Sequence, residues 1–79
     1  MCINNSMRDE RIKILGFTIK IERLRRKLSQ SQLAEMANVH NDTIQKIENG
    51  KQTPSALVLY DIAKALDVTI DSLFKDIED

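Results

Sequence analysis

The stretch that decides the fold is Leu28–Gly50, LSQSQLAEMANVHNDTIQKIENG, which predicts two short helices joined by a tight turn. Ser29 is a residue type that caps helix N-termini, so the first helix is expected to begin at Gln30. Asn38 tolerates the left-handed backbone conformation that ends a helix and opens a turn. A helix between these two points places small and apolar residues on one face: Leu33, Ala34 and Ala37.

A second helix is expected to begin after His40 or Asn41, either of which can cap it, and to stop at Gly50. At about 100° per residue its inner side carries Ile44, Ile47 and Glu48. The outer side is polar and offers both donors and acceptors: Asp42, Lys46 and Asn49, with Asn41 and Gln45 on the flank. Residues 29–49 therefore predict a helix-turn-helix whose second helix, at about 41–49, lies in the major groove of DNA.

Length and composition limit the class of protein. Seventy-nine residues form one domain with a core near the lower limit for independent folding. No apolar run is long enough for a membrane span, so a membrane location is not expected. The single cysteine, Cys2, rules out an internal disulfide and fits a reducing cytosol. Together with the predicted DNA binding, this predicts a cytoplasmic, nucleoid-associated protein.

The net charge of zero hides a strong polarity along the chain. Residues 8–27 hold eight Lys/Arg against three acids, whereas residues 53–79 hold two against six. A folded domain can keep the basic end near phosphates and the acidic end away from them. The alternative is a solvated basic helix and an acidic tail, and charge alone does not separate the two interpretations.

Outside the central stretch the pattern is also helical. We expect a flexible tail over 1–8 and a single domain over 9–79, whose first helix begins near Met7, after a Ser6–Asp9 capping pair, and ends near Lys27. Gly16 either permits a close helix crossing or marks a start or bend. Another helix is expected over Ser55–Leu66, and Thr69 can cap a final turn or two through residues 70–77. Nothing predicts a strand, so the fold class is all-α.

The chain resembles the Cro/C1-type helix-turn-helix family, the group of the lambda-like phage repressors, over about 15–74. The motifs that carry this resemblance are Leu15-Gly16-x-x-Ile19-Lys20-x-x-Arg23-Leu24, Leu28-Ser29-Gln30-x-x-Leu33-Ala34, Val39-x-x-x-x-Ile44-x-x-Ile47-Glu48-Asn49-Gly50-Lys51, Pro54-Ser55 and Ile62-Ala63-x-Ala65-Leu66-x-Val68-x-x-x-x-Leu73-Phe74. The resemblance implies a compact five-helix, lambda repressor-like DNA-binding domain whose third helix is the recognition helix.

It also implies residue roles. The positions that touch base edges in the family match Asn41, Asp42, Gln45 and Lys46. The positions that contact phosphate or sugar match Gln30, Thr43, Asn49 and Lys51. A partly buried ion pair between the first and third helices matches Arg23 and Glu48, which is reasonable because a buried carboxylate needs a partner.

Four positions depart from the family pattern. Asn38 replaces the usual turn glycine, and His40 stands where Ser or Thr often caps. Glu22 occupies a position of the first helix that is often apolar. Asp42 is the most consequential departure, because phosphates repel an acid on the DNA face, although the carboxylate can accept from cytosine N4. Its alternative role is local capping of the helix N-terminus.

These observations predict a sequence-specific, DNA-binding transcriptional regulator, a repressor or autoregulator. One recognition helix reads few base pairs, so we expect a homodimer on a palindromic operator. The candidate interface consists of Val68, Ile70, Phe74 and Ile77, with the spare apolar line of the first helix as second choice. Alternatives are a restriction-modification controller, the antitoxin of a toxin–antitoxin pair or, outside the DNA class, a helical protein-interaction module.

Catalysis has little support in the sequence. The only histidine and the only cysteine are far apart, so they do not form a nucleophilic pair. No metal-ligand spacing or phosphate-binding glycine loop is present. The sequence therefore predicts no enzyme activity, no metal site and no cofactor.

Overall fold

The structure is a computed structural model that describes the backbone of residues 2–77 and the side chains of residues 10–77. Over that range it contains five helices and no strand: α1 (Cys2–Arg25), α2 (Gln30–Ala37), α3 (Asn41–Glu48), α4 (Ala56–Leu66) and α5 (Ile70–Leu73). The predicted all-α, five-helix fold is confirmed. Within the same range no helix is both long and apolar enough to cross a membrane.

The first helix differs from its predicted bounds at both ends. It begins at Cys2 rather than near Met7, and the sequence contains no glycine or proline before Gly16 that would interrupt it. It ends at Arg25 because Lys27 adopts a left-handed conformation with φ 58°. The side chains of Ser6 and Asp9 lie outside the described residues, and the division into a tail over 1–8 and a domain over 9–79 stays a prediction.

The other helices begin at capping residues. The Ser29 hydroxyl accepts from Gln32 N at 3.0 Å, and the Gln32 side chain accepts from Ser29 N at 2.8 Å, which forms a capping box. Of the two residues that were candidates to cap α3, His40 does so: its Nδ1 accepts from the backbone N–H of Asp42. Ser55 caps α4, and the predicted cap of α5, Thr69, is confirmed.

The core is aliphatic and draws on all five helices. Helix α1 packs against α3 and α5, while α2 packs against α3 and α4. The buried apolar residues are Leu15, Ile19, Leu33, Ala34, Ala37, Ile44, Ile47, Leu59, Ile62, Ala63, Leu66 and Leu73. Full burial of each large aliphatic side chain contributes about 1.5–3 kcal/mol before chain entropy is counted. The aromatic rings lie outside this core, exposed at the surface: Phe17, Tyr60 and Phe74.

A close crossing brings α1 onto the C-terminal end of α3. Helix α1 continues unbroken through Gly16, and a methyl group on Gly16 would overlap the carbonyl oxygen of Ile47. Of the roles considered for this glycine, the structure therefore shows the close crossing. The absence of a side chain here lets the backbones of α1 and α3 meet.

The turn between α2 and α3 is set by Asn38. Its backbone is left-handed (φ 58°, ψ 44°), so an asparagine takes the conformation usually given to glycine. The next residue, Val39, donates its N–H to Ala34 O at 2.9 Å and packs half-buried against the core. These contacts fix the angle at which α3 leaves α2.

Candidate nucleic-acid interface

The outer surface of α3 is polar and exposed. Ile44 and Ile47 face inward and are almost fully buried. On the opposite side and the flank of the helix the exposed side chains are Asn41, Asp42, Gln45 and Lys46. The structure thus brings together the four residues predicted to touch base edges, in one surface of two helical turns.

The N-terminus of α3 explains part of the departure at Asp42. Its backbone N–H is donated to His40 Nδ1 at 3.1 Å, which requires a lone pair on that nitrogen. The Asp42 carboxylate lies in the first turn, where an acid stabilises the helix dipole, and its Oδ2 is 3.8 Å from the same imidazole nitrogen. The local role is therefore present, and base contact by Asp42 stays a prediction.

A buried ion pair joins α1 to α3. Arg23 Nε donates to Glu48 Oε2 at 2.7 Å, and Arg23 Nη2 donates to Glu48 Oε1 at 3.0 Å. The third guanidinium nitrogen, Nη1, donates to the carbonyl of Leu28 at 2.6 Å. Arg23 and Glu48 are 6% and 7% exposed, so the pair is bidentate and shielded from water.

Gln30 extends this pair to α2. Its side-chain Nε2 donates to Glu48 Oε1 at 3.0 Å, and the residue is half-buried. The sequence did not predict this bond, because it joins two helices and leaves no periodic pattern along the chain. Since Gln30 is also the first residue of α2, its backbone N–H lies at a helix N-terminus, where anions bind favourably.

The other predicted phosphate contacts lie on α3 and in the turn that follows it. Thr43 is half-buried, whereas Asn49 and Lys51 are exposed. Between them Gly50 takes a left-handed conformation (φ 72°), and Lys51 N donates to Lys46 O at 2.8 Å. This closing turn places Asn49 and Lys51 beside the C-terminal end of α3.

A second cluster of charges was missed by sequence reasoning. Glu22, although buried, accepts from Arg26 Nη1 at 2.8 Å and from Arg25 Nη1 at 3.1 Å, and Lys75 Nζ lies 3.7 Å from it. The Arg26 hydrogen bond is the main cause that lowers the pKa of Glu22, with smaller contributions from Arg25, while burial opposes it. This network explains why an acid is tolerated at a position that is often apolar.

The predicted dimer residues differ in how much surface they leave exposed. Val68 and Ile77 are partly buried against the protein's own core, whereas Ile70 and Phe74 are 36% and 39% exposed. On α1, which carries the second-choice surface, the apolar side chain of Phe17 is more exposed, at 60%.

Two short helices that cross at a tight turn, with a polar outer surface on the second, define the helix-turn-helix class of DNA-binding domains. The family model described as Helix-turn-helix, HTH_3, matches residues 19–73. The chain therefore belongs to the HTH_3 helix-turn-helix family, and the predicted Cro/C1-type resemblance is confirmed.

Comparison with known proteins agrees with this assignment. An uncharacterised transcriptional regulator in the ATPase CF(0) region of Rhodospirillum rubrum is 51% identical over 51 residues, which cover 65% of this chain and 47% of that protein. This chain thus spans about half the length of that relative. Among solved structures, the restriction-modification controller C.AhdI of Aeromonas hydrophila aligns with a TM-score of 0.78 and 25% identity, covering 80% of this chain and 96% of the controller.

A solved structure with a lower sequence identity to this chain shows only that the fold is shared. An HTH_3 family transcriptional regulator from Vibrio cholerae aligns with a TM-score of 0.81 at 23% identity, over 89% of this chain and 39% of that one. The five-helix arrangement is therefore shared with a protein whose sequence has diverged widely.

Proposed function

We propose that this chain is a sequence-specific DNA-binding transcriptional regulator, a repressor or autoregulator, that reads a palindromic operator as a homodimer. The observation that carries the proposal is the exposed polar surface of α3, held in place from behind by the buried Arg23–Glu48 pair. A recognition helix needs both features, because base readout requires free donors and acceptors on a rigidly positioned element.

The base contacts are assigned by side-chain chemistry. An asparagine or glutamine pairs bidentately with adenine N6 and N7, which suits Asn41 and Gln45. Lys46 reaches the O6 and N7 acceptors of guanine, and Asp42 accepts from cytosine N4. The contacts to DNA phosphate and sugar are assigned to residues of α2, α3 and the following turn that surround the base-reading surface: Gln30, Thr43, Asn49 and Lys51.

The dimer follows from the size of the reading surface. One recognition helix discriminates only a few base pairs, and two copies one helical turn apart read a site of useful length. Val68, Ile70, Phe74 and Ile77 are the proposed interface. We place its centre at Ile70 and Phe74, because they keep exposed apolar area that the core does not use.

A binding assay tests the proposal. Sites are first selected from random duplex DNA, and a gel shift then measures affinity for the selected site and for an unrelated duplex. The variant Asn41→Ala/Lys46→Ala is expected to lose the difference between the two duplexes, because each good base contact provides about 1–3 kcal/mol of discrimination. Its helical circular dichroism should stay unchanged, since both side chains are exposed.

Lys64→Ala, on the exposed surface of α4, is the matched control and should retain full discrimination. For the wild-type chain, the fraction of DNA bound should rise more steeply with protein concentration on the complete palindrome than on an isolated half-site. Absence of any shift at low salt, on any duplex, would contradict the proposal.

A restriction-modification controller is the second candidate. It is favoured by the likeness to C.AhdI, which extends over 96% of that controller. The selected operator separates the candidates: a controller's own site should lie upstream of a methyltransferase or nuclease gene.

A further inference from the structure

The middle of α1 lies directly over the turn that ends α3. A methyl group built on Gly50 would lie 2.6 Å from Lys13 Cγ and 3.2 Å from Lys13 Cα. The stem of Lys13 therefore packs on the backbone between Asn49 and Lys51. One turn further along α1, Gly16 meets the carbonyl of Ile47. This part of the first helix belongs to the border of the candidate DNA surface.

Helical geometry places a second lysine on the same border. Lys20 follows Lys13 by seven residues, so the two lie about 20° apart around α1. Gly16 and Arg23 contact α3. Measured around the helix axis from Lys20, and away from Lys13, they lie at roughly 40° and 60°. Lys13 and Lys20 thus form a line along the edge of α1 that faces α3, and we call them the α1 lysine pair.

Both ammonium groups are free for an external anion. Lys13 and Lys20 are exposed, and among the described residues neither has an ion-pair partner. The opposite edge of α1 is different, because there Arg25 and Arg26 bind Glu22, beside Lys75. Among the described side chains of α1, the two lysines without an ion-pair partner therefore lie on the side of α3.

We propose that the α1 lysine pair binds DNA phosphates next to the segment read by α3. The ligand chemistry is a row of phosphodiesters, which suits two point charges about two turns apart on a rigid helix. Lys13 extends the phosphate contact that we assign to Lys51, and Lys20 extends it further along α1. This inference rests on the proposed DNA-binding function and adds a third helix to the surface.

Salt dependence of binding tests the inference. The variant Lys13→Gln/Lys20→Gln keeps the Cβ and Cγ atoms that pack on Gly50 but removes both charges. Neutralising one lysine that binds a phosphate makes the slope of log K against log salt shallower by about 0.9, so the double variant should be shallower by about 1.8. Affinity should fall equally for the selected site and for unrelated duplex, since phosphate contacts carry no sequence information.

Two further variants serve as controls. Lys64→Gln removes a positive charge from the exposed surface of α4 and should leave the slope unchanged, whereas Lys13→Arg/Lys20→Arg should restore the wild-type slope. If wild-type protein binds and the Gln variant keeps its full slope, the inference is overturned while the proposed function stands. If wild-type protein binds no DNA, both are overturned.

Discussion

Among single residues, Arg23 and Glu48 hold the recognition helix most directly. Every guanidinium nitrogen of Arg23 has an acceptor, and both carboxylate oxygens of Glu48 have a donor. Burying either charge alone is unfavourable by several kcal/mol, which the bidentate contact offsets. The pair therefore contributes less to net stability than to fixing one orientation of α3 relative to α1.

Arg23→Met is expected to destabilise the fold by about 3 kcal/mol, because it leaves the buried Glu48 carboxylate with Gln30 as its remaining side-chain donor. Urea unfolding followed by circular dichroism measures the change. Arg25→Met is the control: that side chain is 66% exposed, so its loss should cost no more than about 1 kcal/mol. Arg23→Met/Glu48→Met should be more stable than Arg23→Met, and further destabilisation in the double variant would contradict this account.

The sequence predicts this pair only in part. The helical phase of Glu48 shows that it faces inward and needs a partner, but Arg23 was named through the family resemblance. The hydrogen bond from Gln30 to Glu48 and the ion pair between Lys75 and Glu22 were not predicted, because they depend on how separate segments of the chain pack. Helical periodicity specifies which face a residue occupies, not which residue of another helix it meets.

At the scale of helices, caps and turns were predictable because their signals are local. Ser29, Asn38 and Thr69 act at the positions where their side-chain and backbone preferences predicted. The start of α1 was not predicted, since residues 1–5 show no helical periodicity of apolar residues. The outcome at Gly16 also needed the structure: the sequence allowed a start, a bend or a crossing, and only packing against α3 selects the crossing.

Gly16→Ala provides a test in which two effects have opposite signs. Helix propensity alone predicts that alanine stabilises α1 by about 1 kcal/mol. The overlap with the Ile47 carbonyl predicts the reverse, a destabilisation of about 3 kcal/mol, because a backbone atom cannot move aside without displacing α3. The free energy of unfolding, measured in urea, decides between them.

Gly50→Ala is the comparison variant for this test. It also adds a methyl group at a crowded position, with a positive φ, but the nearest atom is the side-chain Cγ of Lys13 at 2.6 Å, and the nearest backbone atom, Lys13 Cα, is 3.2 Å away, farther than the Ile47 carbonyl oxygen is from a methyl group on Gly16. Its destabilisation should therefore be smaller, about 1–2 kcal/mol. A Gly16→Ala variant more stable than wild type would show that α1 and α3 do not meet at this point.

Across the whole molecule, charge is distributed in the way the sequence polarity suggests. The α1 lysine pair lies beside the recognition helix, while Asp67 and Asp71 line a groove between α4 and α5. A net charge of zero is thus compatible with a positive DNA-facing side. At Glu22, the last turn of α1 contacts the segment after α5 through an ion pair with Lys75. This junction joins the basic part of the sequence to its acidic C-terminal part.

The junction at Glu22 should make the stability of the domain depend on pH. Its pKa is lowered in the folded state, first by the Arg26 hydrogen bond, so between the folded and unfolded pKa values the unfolded chain binds more protons. The contribution of Glu22 is therefore complete above its unfolded pKa of about 4.3 and is lost as the pH falls through the folded value. Glu22→Gln should lower the free energy of unfolding by about 1 kcal/mol at pH 7, and this difference from the wild type should disappear in acid, where the wild-type carboxyl is protonated. Melting temperatures between pH 7 and pH 3 should consequently converge for the variant and the wild type, whereas Glu35→Gln, at an exposed site on α2, should follow the wild type throughout. Parallel curves for Glu22→Gln and wild type would show that Arg25, Arg26 and Lys75 do not hold the carboxylate in its charged form.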